Sequence, residues 1–483
     1  MPASPIHFGT SGWRAIIADE FTFANVRLAV TAIAGHVRKH AKKPVLIVAH
    51  DTRFLSEEFA QAAAEVLLEN KIKVLVCDAA APTPAVAFEV RRWNTDGAIN
   101  FTASHNPAAY HGLKFSGPNG GPALPEVTRD IEARAAKLAA RDFSIAPGAR
   151  DHRALQAERI SLLEGYLARI SDLVRFEVIA KVKLKIVFDA LHGCGAGYLD
   201  RALAEHGIPC HAIRTNRDVL FDGTGPDVSE ENLAPLRKAV LSEKARVGLA
   251  TDGDADRFGI VDADGAWVSP NHILALLYDY LVESRNWKLG AGRSVATSHL
   301  IDAAAKSHGQ KVYQTPVGFK YLGELIEQGK IALGGEESAG LSVHGHVPEK
   351  DGILACLLVA EMIAARGGAT IAEQVRSLFK KAGAEYWPLR TNLHLSEEVQ
   401  ARTVARLKKN YKEFLGRRVK HTDRTDGLKL EYEDGSWVLL RLSGTEPLLR
   451  VYTEANSQKA AARLAGETRD WIREKSMVNK RNP

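Results

Sequence analysis

Short β-branched runs that stop at polar, often glycine-bearing loops recur along most of this chain, with longer helical patterns between them. "PVLIVAHDTR" stops at Asp51-Thr52-Arg53, "IKVLVCD" runs out ahead of Ala81-Pro82-Thr83-Pro84, and "GAINFTASHNP" ends at Ser104. A second group repeats the pattern in "LKIVFDALHGCG" and "RVGLATDGDADR", and a third in "RSVATSHL", "KVYQTPVG" and "KIALGGEES". This is the signature of βα units, and in open α/β sheets ligands bind outside the carboxyl ends of the strands. Those loops are where chemistry is expected.

From about Tyr386 the pattern changes to "LRTNLHL", a helix over 397–414, three strand-like runs reaching Thr453 with a hairpin turned at Glu433-Asp434-Gly435, and a last helix over 458–475. The expected fold class is therefore α/β: three consecutive α/β sheet domains, 1–150, 151–260 and 261–385, followed by a smaller α+β C-terminal domain, 386–483. A length of 483 residues requires several domains, since single cores stop growing near ~250 to 300 residues. Likeness among the three α/β groups is too faint in sequence to define a repeat.

Composition narrows the function. The chain has 45% hydrophobic and 25% charged residues, and its longest apolar stretches, such as 353–360, are far shorter than the ~20 residues of a membrane span. The opening "MPASPIHFGTSGWR" lacks a basic start and an apolar core, so a cytoplasmic location is expected. Cys77, Cys194, Cys210 and Cys356 are widely spaced without a CxxC pair, so neither zinc nor a disulfide framework is indicated; Cys77 and Cys356 read as small buried hydrophobes. Net charge is +6, from 64 basic and 58 acidic residues spread along the chain, too dilute for nucleic acid but suited to small anions. A basic run at 475–481 reads as a solvated tail.

Three loops carry chemistry. In "TDGDADR", Asp252, Asp254 and Asp256 alternate, so an extended backbone turns their carboxylates to one side. Such crowding calls for a hard divalent cation, Mg2+ above all, with a phosphate oxygen to complete its shell; a solvated acidic turn is the plainer alternative. An EF-hand fits less well, because Arg257 and Ala263 stand where its glycine and last carboxylate belong. In "RLSGTEPLLR", the Gly444 amides, the Ser443 and Thr445 hydroxyls and a guanidinium from Arg441 or Arg450 make a phosphate cradle, with a tight hairpin turn as the alternative. In "GGEESAG", carboxylates and a hydroxyl on a flexible frame suit sugar hydroxyls. Ser104 of "FTASHNP", read alone, forms a turn or caps a helix.

Taken together and in this order, "TASHNP", "DGDADR", "GGEESAG" and "RLSGTEP", with the opening "FGTSGWR" and the later "KDGI", resemble the α-D-phosphohexomutases of the phosphoglucomutase and phosphomannomutase type over nearly the whole chain. The resemblance implies that Ser104 carries a phosphoryl group, whose oxygen makes Ser104 a fourth metal ligand. It implies phosphoryl transfer to a sugar monophosphate, a bound hexose 1,6-bisphosphate that turns over, and return of its other phosphate, with glucose 1,6-bisphosphate as activator. It further implies that Arg14 and Arg257 offset charge near the phosphoserine, that His105 hydrogen-bonds within that loop, and that Lys114 is an acid/base group with a lowered pKa. Glu336 and Ser338 would contact the sugar, Lys350 the substrate, and Arg441, Ser443, Gly444 and Thr445 the phosphate.

One departure stands out: Gly340 occupies the position where many bacterial phosphomannomutase-type members carry a histidine, while His344 and His346 nearby read as solvated. The implied substrates are small sugar phosphates, glucose first and mannose permitted. A phosphoglucosamine mutase, a phosphatase and a non-catalytic sugar-phosphate-binding protein are the alternatives. Oligomeric state is not legible.

Overall fold

The computed structural model describes residues 6–140, 157–442 and 448–473. Ser443, Gly444, Thr445 and the basic run at 475–481 lie outside the described residues. The first sheet is built from β1 (Trp13–Ile16), β2 (Val45–His50), β3 (Lys73–Cys77), β4 (Ala98–Phe101), β5 (Tyr110–Ser116) and β6 (Glu158–Ile160), in the order β1-β5-β4-β2-β3-β6. It reaches past the expected division at 150, because β6 pairs in parallel with β3. The second sheet, β7 (Ile186–Asp189), β8 (Cys210–Ile213), β9 (Val247–Thr251) and β10 (Phe258–Asp262), runs β10-β9-β7-β8. The third, β11 (Gly290–Ser294), β12 (Val312–Thr315), β13 (Ile331–Glu336) and β14 (Gly340–Val343), runs β12-β11-β13-β14.

In each of these sheets the central pairs are parallel and the chain reverses at one edge of that parallel core: β4–β5, β9–β10 and β13–β14 are antiparallel, and in the first sheet β1 adds a second antiparallel pair with β5. The three reversing connections are the loops that carry "TASHNP", "DGDADR" and "EESAG". The expected fold class holds, and the likeness that residue identities hide is a likeness of topology.

The last sheet is antiparallel throughout: β15 (Trp387–His394), β16 (Glu413–Phe414), β17 (Arg417–Asp423), β18 (Leu428–Tyr432), β19 (Trp437–Leu442) and β20 (Leu448–Ala455), in the order β15-β20-β19-β18-β17-β16. Gly435, at φ +83°, turns the β18–β19 hairpin as expected. The helix expected over 397–414 spans only Glu397–Leu407. Arg424 donates to the carbonyls of Leu407 (2.7 Å) and Lys409 (2.6 Å), satisfying the open helix end, and Tyr411 and Phe414 turn instead onto Trp471.

One continuous apolar core joins the second and third sheets to a face of the first, and the helix Gly352–Ala365 is buried through it from Gly352 to Ala364. The apolar stretch at 353–360 is thus a core helix, and Cys77 and Cys356 are buried free thiols. Among the described residues no helix is long and apolar enough to cross a membrane. A smaller seam of Val295, Ala296, Trp437, Leu439 and Tyr452 fastens the last sheet to the third.

"KDGI" marks the start of the core helix. Asp351 is its N-cap, accepting from Leu354 N (2.8 Å), from the Tyr166 hydroxyl (2.8 Å) and from His346 Nε2 (2.8 Å). His346 is therefore a buried structural partner, because the cap carboxylate needs a second donor in an apolar surround. Tyr166→Phe removes a donor from this buried carboxylate and should cost about 1.5 to 3 kcal/mol in chemical denaturation. A variant as stable as the parent would show that the cap does not need it.

Candidate active site

The carboxylates of the acidic loop between β9 and β10 are deeply buried. Asp252, Asp254 and Asp256 are at most 1% exposed, and each offers an oxygen within 4.8 Å of the others. Cations from three domains surround them. Lys114 Nζ lies 2.5 Å from Asp254 and 2.8 Å from Asp256, Lys350 Nζ 3.1 Å from Asp256, and Arg257 Nε 3.9 Å from Asp256. Burial and the other two carboxylates push Asp252 well above the usual range. Burial acts the same way on Asp256, but Lys114, Lys350 and Arg257 outweigh it and hold Asp256 well below. Asp254 Oδ1 and Asp256 Oδ1 have no hydrogen-bond partner among the described residues. Three converging buried carboxylates with two spare oxygens suit a hard divalent cation.

The loop backbone is clamped from its own domain and from both of its α/β neighbours. Thr83 N donates to the carbonyl of Asp254, Cys194 N to that of Gly253 and Gly352 N to that of Ala255, at 2.9, 2.9 and 3.0 Å. The Thr83 hydroxyl also donates to Asp254 Oδ2. A Cβ on Gly253 would sit 2.7 Å from the carbonyl oxygen of Ser104, so only glycine lets the two loops touch.

Ser104 Oγ donates to Asp252 Oδ2 at 2.8 Å across 148 residues of sequence. Its φ of +53° is left-handed, and the other two loops contain the same departure at Ala255 (+55°) and Ala339 (+69°). Such backbone costs of order 1 to 3 kcal/mol at each non-glycine position and persists only where surroundings impose it. Here the imposing group is Arg53, fully buried, which donates to the carbonyls of Ser104 (2.6 Å), Asn106 (2.6 Å), Pro107 (2.9 Å) and Tyr110 (3.0 Å) while Asp51 holds its Nε at 3.1 Å. Arg14 Nη1 donates to Asn106 Oδ1 (2.7 Å), and burial together with Arg257 lowers its guanidinium to about 10, still a cation at neutral pH. His105 Nδ1 lies 3.4 Å from Ser104 Oγ; burial and the Arg257 and Arg14 charges keep it neutral, its pKa well below the usual histidine value.

Lys114 corrects one expectation. Burial pulls its ammonium down, but the Asp254 and Asp256 carboxylates outweigh that and hold it above the ordinary lysine range. It stands as a counter-ion between two acids.

On the third sheet, Glu336 is buried and accepts from Gly318 N at 2.7 Å; Ser338 is half-buried. Lys350, tied to Glu349 at 2.9 Å as well as to Asp256, has its stem where a side chain at 340 would go: a Cβ on Gly340 would come within 2.2 Å of Lys350 Cδ. A side chain at 340 would require the Lys350 stem to move. On the last sheet Arg441 and Arg450 face each other across β19 and β20; Arg441 Nε is held by Asp426 (2.8 Å), and Arg450 Nε has no partner among the described residues. Like charges directly opposite on a ladder are unfavourable, so the pair is suited to an anion.

The chain matches phosphoglucomutase/phosphomannomutase models for alpha/beta/alpha domain I over residues 5–142, domain II over 164–265, domain III over 269–382 and the C-terminal domain over 392–470. The chain belongs to the phosphoglucomutase/phosphomannomutase family. It is 31% identical to a phosphoglucomutase/phosphomannomutase of Thermococcus kodakarensis, covering 94% of this chain and 95% of that one, and 30% identical to a phosphoglucosamine mutase of Thermobifida fusca, covering 98% and 99%. A crystal structure from Thermus thermophilus, provisionally named a phosphomannomutase, superposes with a TM-score of 0.84 at 32% identity, covering 98% of this chain and 100% of that one. The phosphoglucomutase/phosphomannomutase family comprises isomerases of the phosphotransferase type and depends on Mg2+, which the buried aspartate trio here is able to hold.

Arg53 and Thr83 are in no motif. Both stand in loops picked out by the strand-end rule, which was the only signal available for them.

Burial, with the Glu337 carboxylate beside it, pushes Glu336 up to about 7 from an ordinary 4.5. The fold therefore favours the neutral acid: no cost falls on stability below the unfolded value near 4.5, and a penalty grows as pH rises from there to about 7 and levels off above it. Glu336→Gln should gain about 1 to 3 °C in melting temperature over the parent between pH 5 and pH 8. A difference that stays constant over that range would contradict this.

Proposed function

We propose that this phosphohexomutase-family chain interconverts hexose 1-phosphate and hexose 6-phosphate, glucose first, through a phosphorylated Ser104. The observation that carries the reading is the Ser104 Oγ to Asp252 hydrogen bond, which puts a hydroxyl of one domain on the acidic trio of another. Serine is a weak nucleophile, and a site that gathers Arg14, Arg257, Lys114 and Lys350 around it is built for phosphoryl oxygens. Mg2+ held by Asp252, Asp254, Asp256 and the phosphoryl group of Ser104 would supply further neutralisation of that charge.

The cycle balances without a co-substrate. The bond from phosphorus to Ser104 Oγ breaks as one forms to the free hydroxyl of the sugar monophosphate, giving hexose 1,6-bisphosphate. In that step the sugar hydroxyl proton passes to Ser104 Oγ; after the intermediate reorients, its other phosphoryl group returns to Ser104 and the serine proton passes to the sugar oxygen that this group leaves. Lys114, charged and fixed by two carboxylates, is assigned to proton transfer, and Arg53 holds the loop so that Ser104 stays aimed. Glu336 and Ser338 are assigned to sugar hydroxyls, and Arg441 and Arg450 with the 443–445 loop to the phosphate that is not reacting. The "GEES" form resembles glucose-specific members. Glucosamine is the second reading, favoured by the relative from Thermobifida fusca.

Purified protein given glucose 1-phosphate, a trace of glucose 1,6-bisphosphate and Mg2+ should form glucose 6-phosphate, and Ser104→Ala should lower turnover by roughly a thousandfold or more while the fold is kept. Release of free phosphate would make it a phosphatase, and binding without turnover a sugar-phosphate-binding protein. Higher kcat/KM with glucosamine 1-phosphate would favour the second reading over glucose.

A further inference from the structure

The turn Pro316-Val317-Gly318 stands where three domains meet. Gly318 N donates to Glu336 Oε1 (2.7 Å), and a Cβ on Gly318 would lie 3.5 Å from Cγ2 of Thr10, in the "GTSGWR" loop of the first domain. The adjacent amide, Val317 N, donates to Asp426 Oδ2 at 3.1 Å, and the same oxygen accepts from Arg441 Nε at 2.8 Å. One carboxylate oxygen therefore joins the turn that holds the sugar-facing glutamate to the guanidinium at the edge of the phosphate loop.

The position of Asp426 is itself built. Gly427 has φ +108°, and a Cβ there would sit 2.5 Å from the Leu440 carbonyl oxygen, so the β17–β18 turn reaches β19 only with glycine. Asp423 Oδ1 ties the same turn through Thr425 N (2.7 Å) and Thr425 Oγ1 (2.6 Å), while its Oδ2 accepts from Gln314 Nε2 on β12 (2.6 Å). Val317 packs onto the seam of Val295, Trp437 and Tyr452.

We propose that Asp426 is a positioning residue that couples sugar recognition at Glu336 to the phosphate grip of Arg441; this rests on the substrate-site reading above. The physical basis is short. The amides of Val317 and Gly318 are consecutive units of a chain with only two soft dihedrals per residue, so fixing one restricts the other. A charge-assisted bond to Nε fixes the plane of the Arg441 fork without using its terminal nitrogens. An ordinary tether between domains would affect stability alone. A coupling residue makes the effects of Glu336 and Arg441 depend on one another.

The test uses the full chain as wild type, Asp426→Ala and Asp426→Asn. With glucose 1-phosphate, Asp426→Ala is expected to raise KM about five- to twentyfold while kcat changes less than about threefold, and Asp426→Asn, which keeps an acceptor oxygen, should recover much of the loss. Glu336→Gln and Arg441→Ala should combine non-additively, by about threefold or more, in the parent and additively in the Asp426→Ala background. The same cycle read as Kd for glucose 1-phosphate by calorimetry needs no turnover. Absence of isomerisation with the coupling intact would overturn the mutase reading alone. An unchanged Kd and KM in Asp426→Ala, a fall in melting temperature without a change in either constant, or non-additivity that survives in that background would overturn the coupling.

Discussion

Three carboxylates buried within 4.8 Å of one another repel strongly in a low-dielectric surround, and much of the molecule is arranged to compensate them. Lys114 comes from β5, Arg257 from the acidic loop itself and Lys350 from the residue before the N-cap of the core helix. The backbone is clamped by Thr83, Cys194 and Gly352, one from each α/β unit. Domain packing and site electrostatics are thus one problem: the cations that neutralise the trio also hold the three sheets in register. The same positive surround is what a phosphorylated serine and a sugar bisphosphate need.

The three loops at this centre occupy equivalent places. Each bridges a parallel-core strand and its one antiparallel neighbour, and each holds a non-glycine residue at positive φ, at Ser104, Ala255 and Ala339. A strand reversal of this kind brings the chain back over the carboxyl end of its own sheet, so the loop tip projects where ligands bind. Three sheets offering one such tip each converge on one site, and the roles assigned to the tips differ, with phosphoryl transfer on the first, cation binding on the second and sugar recognition on the third. The fourth sheet differs in kind, and its Arg441 is tied through Asp426 to the turn that holds Glu336.

Much of this was legible from residue types. A hard cation needs carboxylates like those that alternate in the string after β9, whereas Ser104 read alone gave only a turn or a cap, and its phosphoryl role came from the resemblance. What the string could not carry was partnership at a distance. Arg53 acts by binding four carbonyls of a loop some fifty residues on, and an arginine so used looks no different in sequence from one in solvent. Lys114 belongs beside the trio as expected but with the opposite sign of shift, because two carboxylates at 2.5 and 2.8 Å outweigh burial. Gly340 looks like a missing group in the sequence and is instead the space that the Lys350 stem fills. The helix after Glu397 is shorter than its residue pattern suggests because the Arg424 cap that ends it comes from a later turn.

The most direct test of the central claim is the intact mass of the protein after incubation with glucose 1,6-bisphosphate and Mg2+, followed by peptide mapping. The account predicts a species heavier by one phosphoryl group, located on Ser104, that returns to the unmodified mass when an excess of hexose monophosphate is added. A protein that takes up no phosphoryl group, or carries it on a residue other than Ser104, would contradict it.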